Sequence, residues 1–243
     1  MGAISTHRRN HSLPRLSTPS AGLILHYSPT GLVLNPANGS VTGWKNEVSG
    51  TVVSATGSPV YALADADFNG HPSVRMANHI GEFAGDNITG TDGLTIISVH
   101  KFSVPTANND GTMPWYMECG GSLDLWTRDN ANTRRGLNAF GGENYGFTVA
   151  PGTGGNTEIL TTVIPNQNTN NVAFYLNGVN MTPIDGSPVP TRTLTGGLFN
   201  GAVPAAQYSF DGKKSEFIVF NRMLLSTELA GVHAHLKTKY RIA

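Results

Sequence analysis

The sequence predicts an all-β sandwich of two antiparallel sheets that closes on one short helix. Three observations predict it. Asn-Gly and Asp-Gly pairs begin at Asn38, Asn69, Asp92, Asp110, Asn177, Asp185, Asn200 and Asp211, and such dipeptides take the positive φ angles of tight hairpin turns. Charged residues make up only 13% of the chain, whereas Gly supplies 29 of its 243 residues, a balance that favours turns over helical bundles. The one clear helical period stands near the C-terminus, where Leu225, Leu229, Val232, Leu236 and Tyr240 recur at three- and four-residue steps.

The elements follow in order. Residues 1–22, MGAISTHRRNHSLPRLSTPSAG, mix Ser, Thr, Pro, Arg and His with isolated apolar positions, and the first acidic residue is Glu47. Such a segment cannot bury enough surface to offset its ordering entropy. It is expected to be an extended basic arm that presents Arg8, Arg9 and Arg15 to a partner subunit. The body, 23–243, shows no internal linker and no repeat, and is expected to be one domain. Strands are expected at Ser73–Met76, Leu94–Phe102, Trp115–Glu118, Leu123–Arg128, Gly146–Val149, Glu158–Ile164, Gly197–Phe199 and Ser215–Phe220. In VAFYLNGVNMT, Val172–Leu176 and Val179–Thr182 should pair across Asn177-Gly178. Ser226 is expected to cap the last helix, with Glu228 in its first turn and Lys237, Lys239 and Arg241 at the end where cations are favoured.

Composition excludes several function classes. The chain carries 16 Lys+Arg against 16 Asp+Glu, which argues against nucleic-acid binding through a basic surface. No apolar run reaches membrane-spanning length. Cys119 is the only cysteine, so no intramolecular disulfide forms. The N-terminus has no apolar h-region of a secretory signal, and the chain is expected to fold where it is made.

The segment FDGKKSEFIVFNRMLLSTELAGVHAHLKTKYRI resembles the closing part of concanavalin A-like, laminin G-like jelly-roll domains. That family ends in a strand with an acidic residue, a Tyr/Phe-Asn-Arg-x-Leu-Ser turn, and a helix finishing near Lys-Tyr. Asn221, Arg222, Leu224, Ser226, Glu228 and Tyr240 match, with Leu225 as an extra residue before the serine. GSVTGWKNEVSG, FNGHPSVRM, LTIISVHK and VAFYLNGV resemble further segments, so the likeness spans about 23–242. It implies a concanavalin A-like jelly roll with one C-terminal helix, and it implies little about function, because this fold hosts lectins, glycosidases, adhesion modules and phage virion proteins.

The search for chemistry starts with glycoside hydrolysis, which ordinarily needs two carboxylates flanking the bond. GGSLDLWTRDN offers Asp124 alone on the strand, then Asp129, and Glu118 lies beyond Gly120-Gly121. The chain is therefore expected not to be an enzyme. Asp65, Asp67 and Asn69 in DADFNG open like a calcium loop, but the closing acidic position is Met76, so the motif is broken and an acidic turn is the expected reading, with no cofactor and calcium between loops, as the laminin G-like resemblance allows, as the alternative. His233 and His235 are two apart on the helix and cannot share a metal. No Cys/His group has zinc spacing. GTGG at 152–155 lacks the Lys-Ser/Thr of a phosphate loop, and there is no Gly-x-Ser-x-Gly elbow. Sugar binding would use aromatics beside Asn, Asp and Gly. The candidates are Trp115, Tyr116, Trp126 and Tyr145, whereas Trp44 is expected to be structural.

The expected function is a non-enzymatic structural or binding module, a phage virion decoration or adhesion protein that oligomerises with other subunits through its arm. The alternative is a stand-alone, lectin-like carbohydrate-binding protein outside the cell that recognises surface glycans. A glycoside hydrolase is the remote third reading.

Overall fold

The computed structural model describes residues 19–57, 59–76, 82–90, 92–103, 112–118, 122–128, 134–139, 142–148, 155–165, 172–181, 185–186, 194–200 and 210–243. The strands are β1 (Leu23–Tyr27), β2 (Leu32–Leu34), β3 (Val41–Lys45), β4 (Val52–Thr56), β5 (Val60–Asp65), β6 (His71–Met76), β7 (Glu82–Gly90), β8 (Leu94–Phe102), β9 (Thr112–Glu118), β10 (Ser122–Arg128), β11 (Arg134–Ala139), β12 (Gly142–Thr148), β13 (Thr157–Ile164), β14 (Ala173–Leu176), β15 (Val179–Met181), β16 (Asp185–Gly186), β17 (Leu194–Asn200) and β18 (Gly212–Phe220), followed by helix α1 (Ser226–Tyr240). Arg8, Arg9 and Arg15, which carry the arm expectation, lie outside the described residues.

Two antiparallel sheets form an all-β sandwich. Among the described residues one has 8 strands, ordered β15-β14-β13-β8-β18-β6-β5, with β1 also on β18. The other has 10, ordered β16-β12-β11-β10-β9-β17-β7-β4-β3-β2. β18 organises the smaller sheet. One edge pairs with β8 along its whole length, and the other pairs first with β6 over Gly212–Lys214 and then with β1 over Phe217–Phe220.

The smaller sheet is covered on both faces, which explains why β8, β13 and β18 read as nearly continuous apolar runs. Phe217 and Val219 enter the core between the sheets with Trp44, Ile96, Leu160 and Trp115. Ile218 and Phe220 enter a second core with Ile97, Val99, Ile159 and the helix residues Leu229, Val232, Leu236 and Tyr240. Each fully buried large aliphatic contributes about 1.5–3 kcal/mol of transfer free energy. The helix is therefore part of the folded core.

The helix start differs from expectation. Ser226 is the first helical residue and Leu225 precedes it as the cap. Leucine has no polar atom with which to cap, so the Glu228 carboxylate accepts the Leu225 N–H at 2.9 Å instead. Arg222 holds that carboxylate through two bonds of 2.7 Å, which draws Glu228 down to about 2. Leu225 itself is 66% exposed, and the neighbouring Leu224 takes the buried place. The same Arg222 donates to the Ala21 carbonyl at 2.9 Å, and Asn221 N–H donates to the Gly22 carbonyl at 2.8 Å. The Asn-Arg turn thus ties the chain entering β1 to the chain leaving β18.

Three further expectations hold. β14 and β15 pair across Asn177 and Gly178, whose φ angles of 50° and 81° suit a tight hairpin. Trp44 is wholly buried and donates from Nε1 to the Ser28 carbonyl at 2.6 Å. The strand Leu94–Phe102 has the predicted bounds.

Candidate functional site

The candidate site is built from strands β9 to β12 of the larger sheet. In a pleated strand alternate positions belong to opposite faces. Trp115 and Met117 are 1% and 0% exposed and lie in the core between the sheets. The ladders carry that assignment outward. Trp115 pairs with Leu125, Leu125 with Leu137, and Leu137 with Tyr145, so this row belongs to the core side. The rows between belong to the opposite face. Phe199 pairs with Tyr116, Tyr116 with Asp124, and Asp124 with Asn138. In the next row Trp126 pairs with Gly136, and Gly136 with Gly146. In the third, Arg128 pairs with Arg134, and Arg134 with Thr148.

The four aromatic candidates therefore divide. Trp115 is corrected: it is a core residue, because β9 turns it toward the smaller sheet. Position 145 shares the Trp115 row. Positions 116 and 126 stand in neighbouring rows of the opposite face. Asp124, Asn138 and Glu143 with Phe199, and Gly136, Gly146 and Asp185, belong to these rows and were not singled out together from the sequence. The signal was present in SLDLWTR, where Leu123 and Leu125 alternate with Asp124, Trp126 and Arg128. A Trp in the polar phase of an alternating strand belongs to the outer face. Glycine inside a strand marks a place where a ligand or another chain approaches the backbone closely.

The acidic turn after β5 is an ion-pair knot. Asp67 binds the Lys101 ammonium at 2.6 Å and the Lys213 ammonium at 2.7 Å, which holds its carboxyl below the usual range. Asp65 accepts from Ser73 at 2.6 Å and binds Lys213 at 3.0 Å. Burial opposes its ionisation, but these bonds prevail and its carboxyl is also lowered. The Asn69 amide donates to the Lys239 carbonyl at 2.9 Å. Two lysines thus supply the positive charge that these carboxylates face. Among the described residues no group of three or more His, Cys, Asp or Glu is placed to hold a metal ion. His233 lies buried with Nε2 at 2.8 Å from the Thr161 hydroxyl, while His235 is half-buried.

A polar row that sequence reasoning missed crosses the interior of the smaller sheet. Glu158, His100 and Lys214 are cross-strand partners on β13, β8 and β18, and all three are buried. His100 Nε2 is 3.1 Å from Glu158 Oε1, and its Nδ1 is 2.9 Å from Ser98 Oγ. The Lys214 ammonium lies 4.8 Å from the Phe210 ring centre and 5.4 Å from that of Phe217. Burial pulls its pKa well below the ordinary lysine range. On the other face, Lys239 of the helix binds the buried Glu216 carboxylate, the acidic residue of the closing strand. Glu158, His100 and Lys214 thus lie across neighbouring strands of one sheet, and Lys239 ties the helix to that sheet.

No protein-family model matches the sequence, and no curated protein matches it. Solved structures do. Trypanosoma rangeli sialidase in complex with sialic acid is similar with a TM-score of 0.59 and 13% identity, over 91% of this chain and 34% of the sialidase. The binding domain of botulinum neurotoxin serotype D/C VPI 5993 is similar with a TM-score of 0.60 and 10% identity, over 88% of this chain and 52% of that one. A botulinum neurotoxin type C structure, from a toxin that depends on two ganglioside molecules for entering cells, gives a TM-score of 0.59 and 11% identity, over 88% of this chain and 51% of that one. The chain shares its β-sandwich fold with parts of these proteins. It spans about a third of the sialidase and about half of the toxin chains.

The sialidase matches overturn the expectation of a non-enzymatic chain, because this fold occurs within enzyme chains. Two carboxylates flanking the bond mark most glycosidases, whereas sialidases use a tyrosine nucleophile, so the lack of such a pair in GGSLDLWTRDN does not exclude hydrolysis.

Proposed function

We propose that this chain binds glycans on the face of its larger sheet that is turned away from the core, at the rows of strands β9 to β12. The observation that carries this reading is the ladder placement of Tyr116, Asp124, Asn138 and Trp126 on that one face, with Gly136 and Gly146 beside Trp126. An aromatic platform next to a carboxylate and an amide suits a pyranose, whose apolar C–H face stacks while its hydroxyls find donors and acceptors. The fold supports the reading, since the similar structures include a sialidase holding sialic acid and a toxin that depends on gangliosides.

The test is glycan binding by the full chain on a saccharide array, followed by calorimetry on the best ligand. Trp126→Ala should weaken binding at least about tenfold, with Trp126→Phe retaining most of it. A chain that binds no glycan, or a Trp126→Ala variant that binds as well as the parent, would refute the proposal. We further propose that residues 1–22 join neighbouring subunits of a phage particle through Arg8, Arg9 and Arg15, which suit carboxylate-rich surfaces. Deleting them should leave the unfolding midpoint unchanged and abolish incorporation into the particle. Normal incorporation of the truncated chain would reject it.

A further inference from the structure

We infer that the glycan taken by this face is a chain of several linked sugars rather than one terminal sugar, and that Asn87 of β7 and Gly197 of β17 form its far subsite. The inference rests on the glycan-binding reading and names its ligand class.

The observation is a row that carries the face beyond β9. Asn87 pairs with Gly197, and Gly197 with Glu118 of β9. Ile88 and Leu198 are buried in the core between the sheets, so their neighbours in each strand belong to the opposite face. Asn87 is exposed accordingly, as are Thr89 and Thr195, which pair in the next row, and Gly197 is half-buried. Strand interiors disfavour both Asn and Gly. Yet β17 lies between β9 and β7, and β7 between β17 and β4, so the pair sits inside the sheet and not at an edge. The ladder is regular from Leu194 to Leu198, so Gly197 does not mark a bulge. Positions where a sequence breaks its local rule are functional or strained, and Gly136 opposite Gly146 repeats the pattern in the Trp126 row.

The chemistry and the dimensions fit a sugar chain. Without a side chain at 197 the backbone of β17 is open to close approach. An exposed amide at 87 offers hydroxyl groups both a donor and an acceptor. Asn87, Thr89, Thr195 and Gly197 carry no charge, which suits a neutral sugar at this end. Gly197 and Gly136 are separated by β9 and β10, three interstrand steps or roughly 14 Å. Their rows lie four residues apart along the strands, roughly 13 Å. A ligand that meets both rows therefore spans roughly 20 Å, several linked pyranoses and more than one ring. The row of positions 116, 124 and 138 lies between them, so the path is continuous. A single terminal sugar in that middle row would leave the Asn87–Gly197 pair without a contact.

The experiment measures calorimetric affinity of the full chain for three oligosaccharide ladders: laminaribiose to laminarihexaose, cellobiose to cellohexaose, and one to three N-acetyllactosamine units. The proteins are the parent, Asn87→Ala and Gly197→Val. In at least one ladder the parent should bind the longest member about tenfold or more tighter than the shortest, the scale of one or two added hydrogen bonds. Each variant should bring that ratio toward one with the shortest member unchanged. Valine suits a strand better than glycine, so Gly197→Val should keep or raise the unfolding midpoint while it blocks the subsite. A purely structural glycine would not give that pair of results. If short and long members bind alike, if neither variant alters the ratio, or if no ladder binds while other sugars do, the inference falls and glycan binding stands. If no sugar binds the parent, the glycan reading falls and takes this inference with it. Should Gly197→Val fail to fold, the parent and Asn87→Ala decide by the same criteria.

Discussion

Acid should loosen the helix from the sandwich through one buried histidine. His233 lies on α1, 4% exposed, with Nε2 at 2.8 Å from the Thr161 hydroxyl of β13 and its ring 5.7 Å from that of Tyr175 on β14. Burial disfavours the imidazolium, Lys237 one turn along the helix adds repulsion, and the pKa falls to about 4 from an ordinary 6.5. The folded value is the lower one, so protonation favours the unfolded chain. Stability is complete above about pH 6.5 and is lost as pH falls toward 4. At about 1.4 kcal/mol per pKa unit the full loss approaches about 3 kcal/mol, with about 2 kcal/mol gone by pH 5. His71 and His235 are also lowered by burial, so the parent alone cannot isolate the effect. The assay is urea unfolding of the parent and of His233→Gln between pH 7.5 and 4.5. The variant cannot acquire the charge, and the stability difference should move in its favour by about 2 kcal/mol from pH 7 to pH 5. A difference independent of pH would show that His233 is solvated or already charged, and would refute the docked helix as described.

Three other outcomes follow from the packing. Leu236→Ala, at a position with 0% exposure between helix and sheet, should cost about 2–5 kcal/mol in chemical unfolding. Gly22→Ala should cost about 1–2 kcal/mol, because φ is +76° and the new Cβ would meet Asn221 Oδ1 at 2.9 Å. Asp67→Asn should cost about 1–3 kcal/mol at neutral pH by weakening the bonds to Lys101 and Lys213. Asp67 has a lowered pKa, so that difference should shrink as pH falls through the carboxylate range, as unfolding curves at pH 7 and pH 3 would reveal.

What could be read from the sequence was whatever depends on near neighbours. The turn at Asn177-Gly178 needs two positive φ angles, and its sequence provides residues that take them. The bounds of β8 followed from an apolar run long enough to be buried on both faces. The helix stripe Leu229, Val232, Leu236 and Tyr240 followed from spacing alone. Its start was misjudged by one residue because Glu228 reaches back to Leu225, and the clamp on Glu228 comes from Arg222, outside the helix. Glu158, His100 and Lys214 escaped notice for a stronger form of the same reason. Each lies toward one end of a largely apolar strand, and only pairing among β13, β8 and β18 brings them into one buried row.

The candidate site lies between these cases. SLDLWTR shows by itself that Trp126 alternates with Leu123 and Leu125, so its face was open to reading from one strand. Trp115 carried no such mark, since TMPWYME sets Trp and Tyr side by side and period two cannot tell which faces inward. The ladder decides it, because Trp115 pairs with Leu125 and Tyr116 with Asp124. Asn87 and Gly197 lie far apart in sequence, and nothing announces them until β7 and β17 are known to pair with that register. A shift of one residue would place Asn87 opposite Leu198 and dissolve the proposed subsite. The preference for longer sugar chains argued for this protein is therefore a property of strand register, and a variant that altered the register of β17 on β7 should lose that preference even with both residues in place.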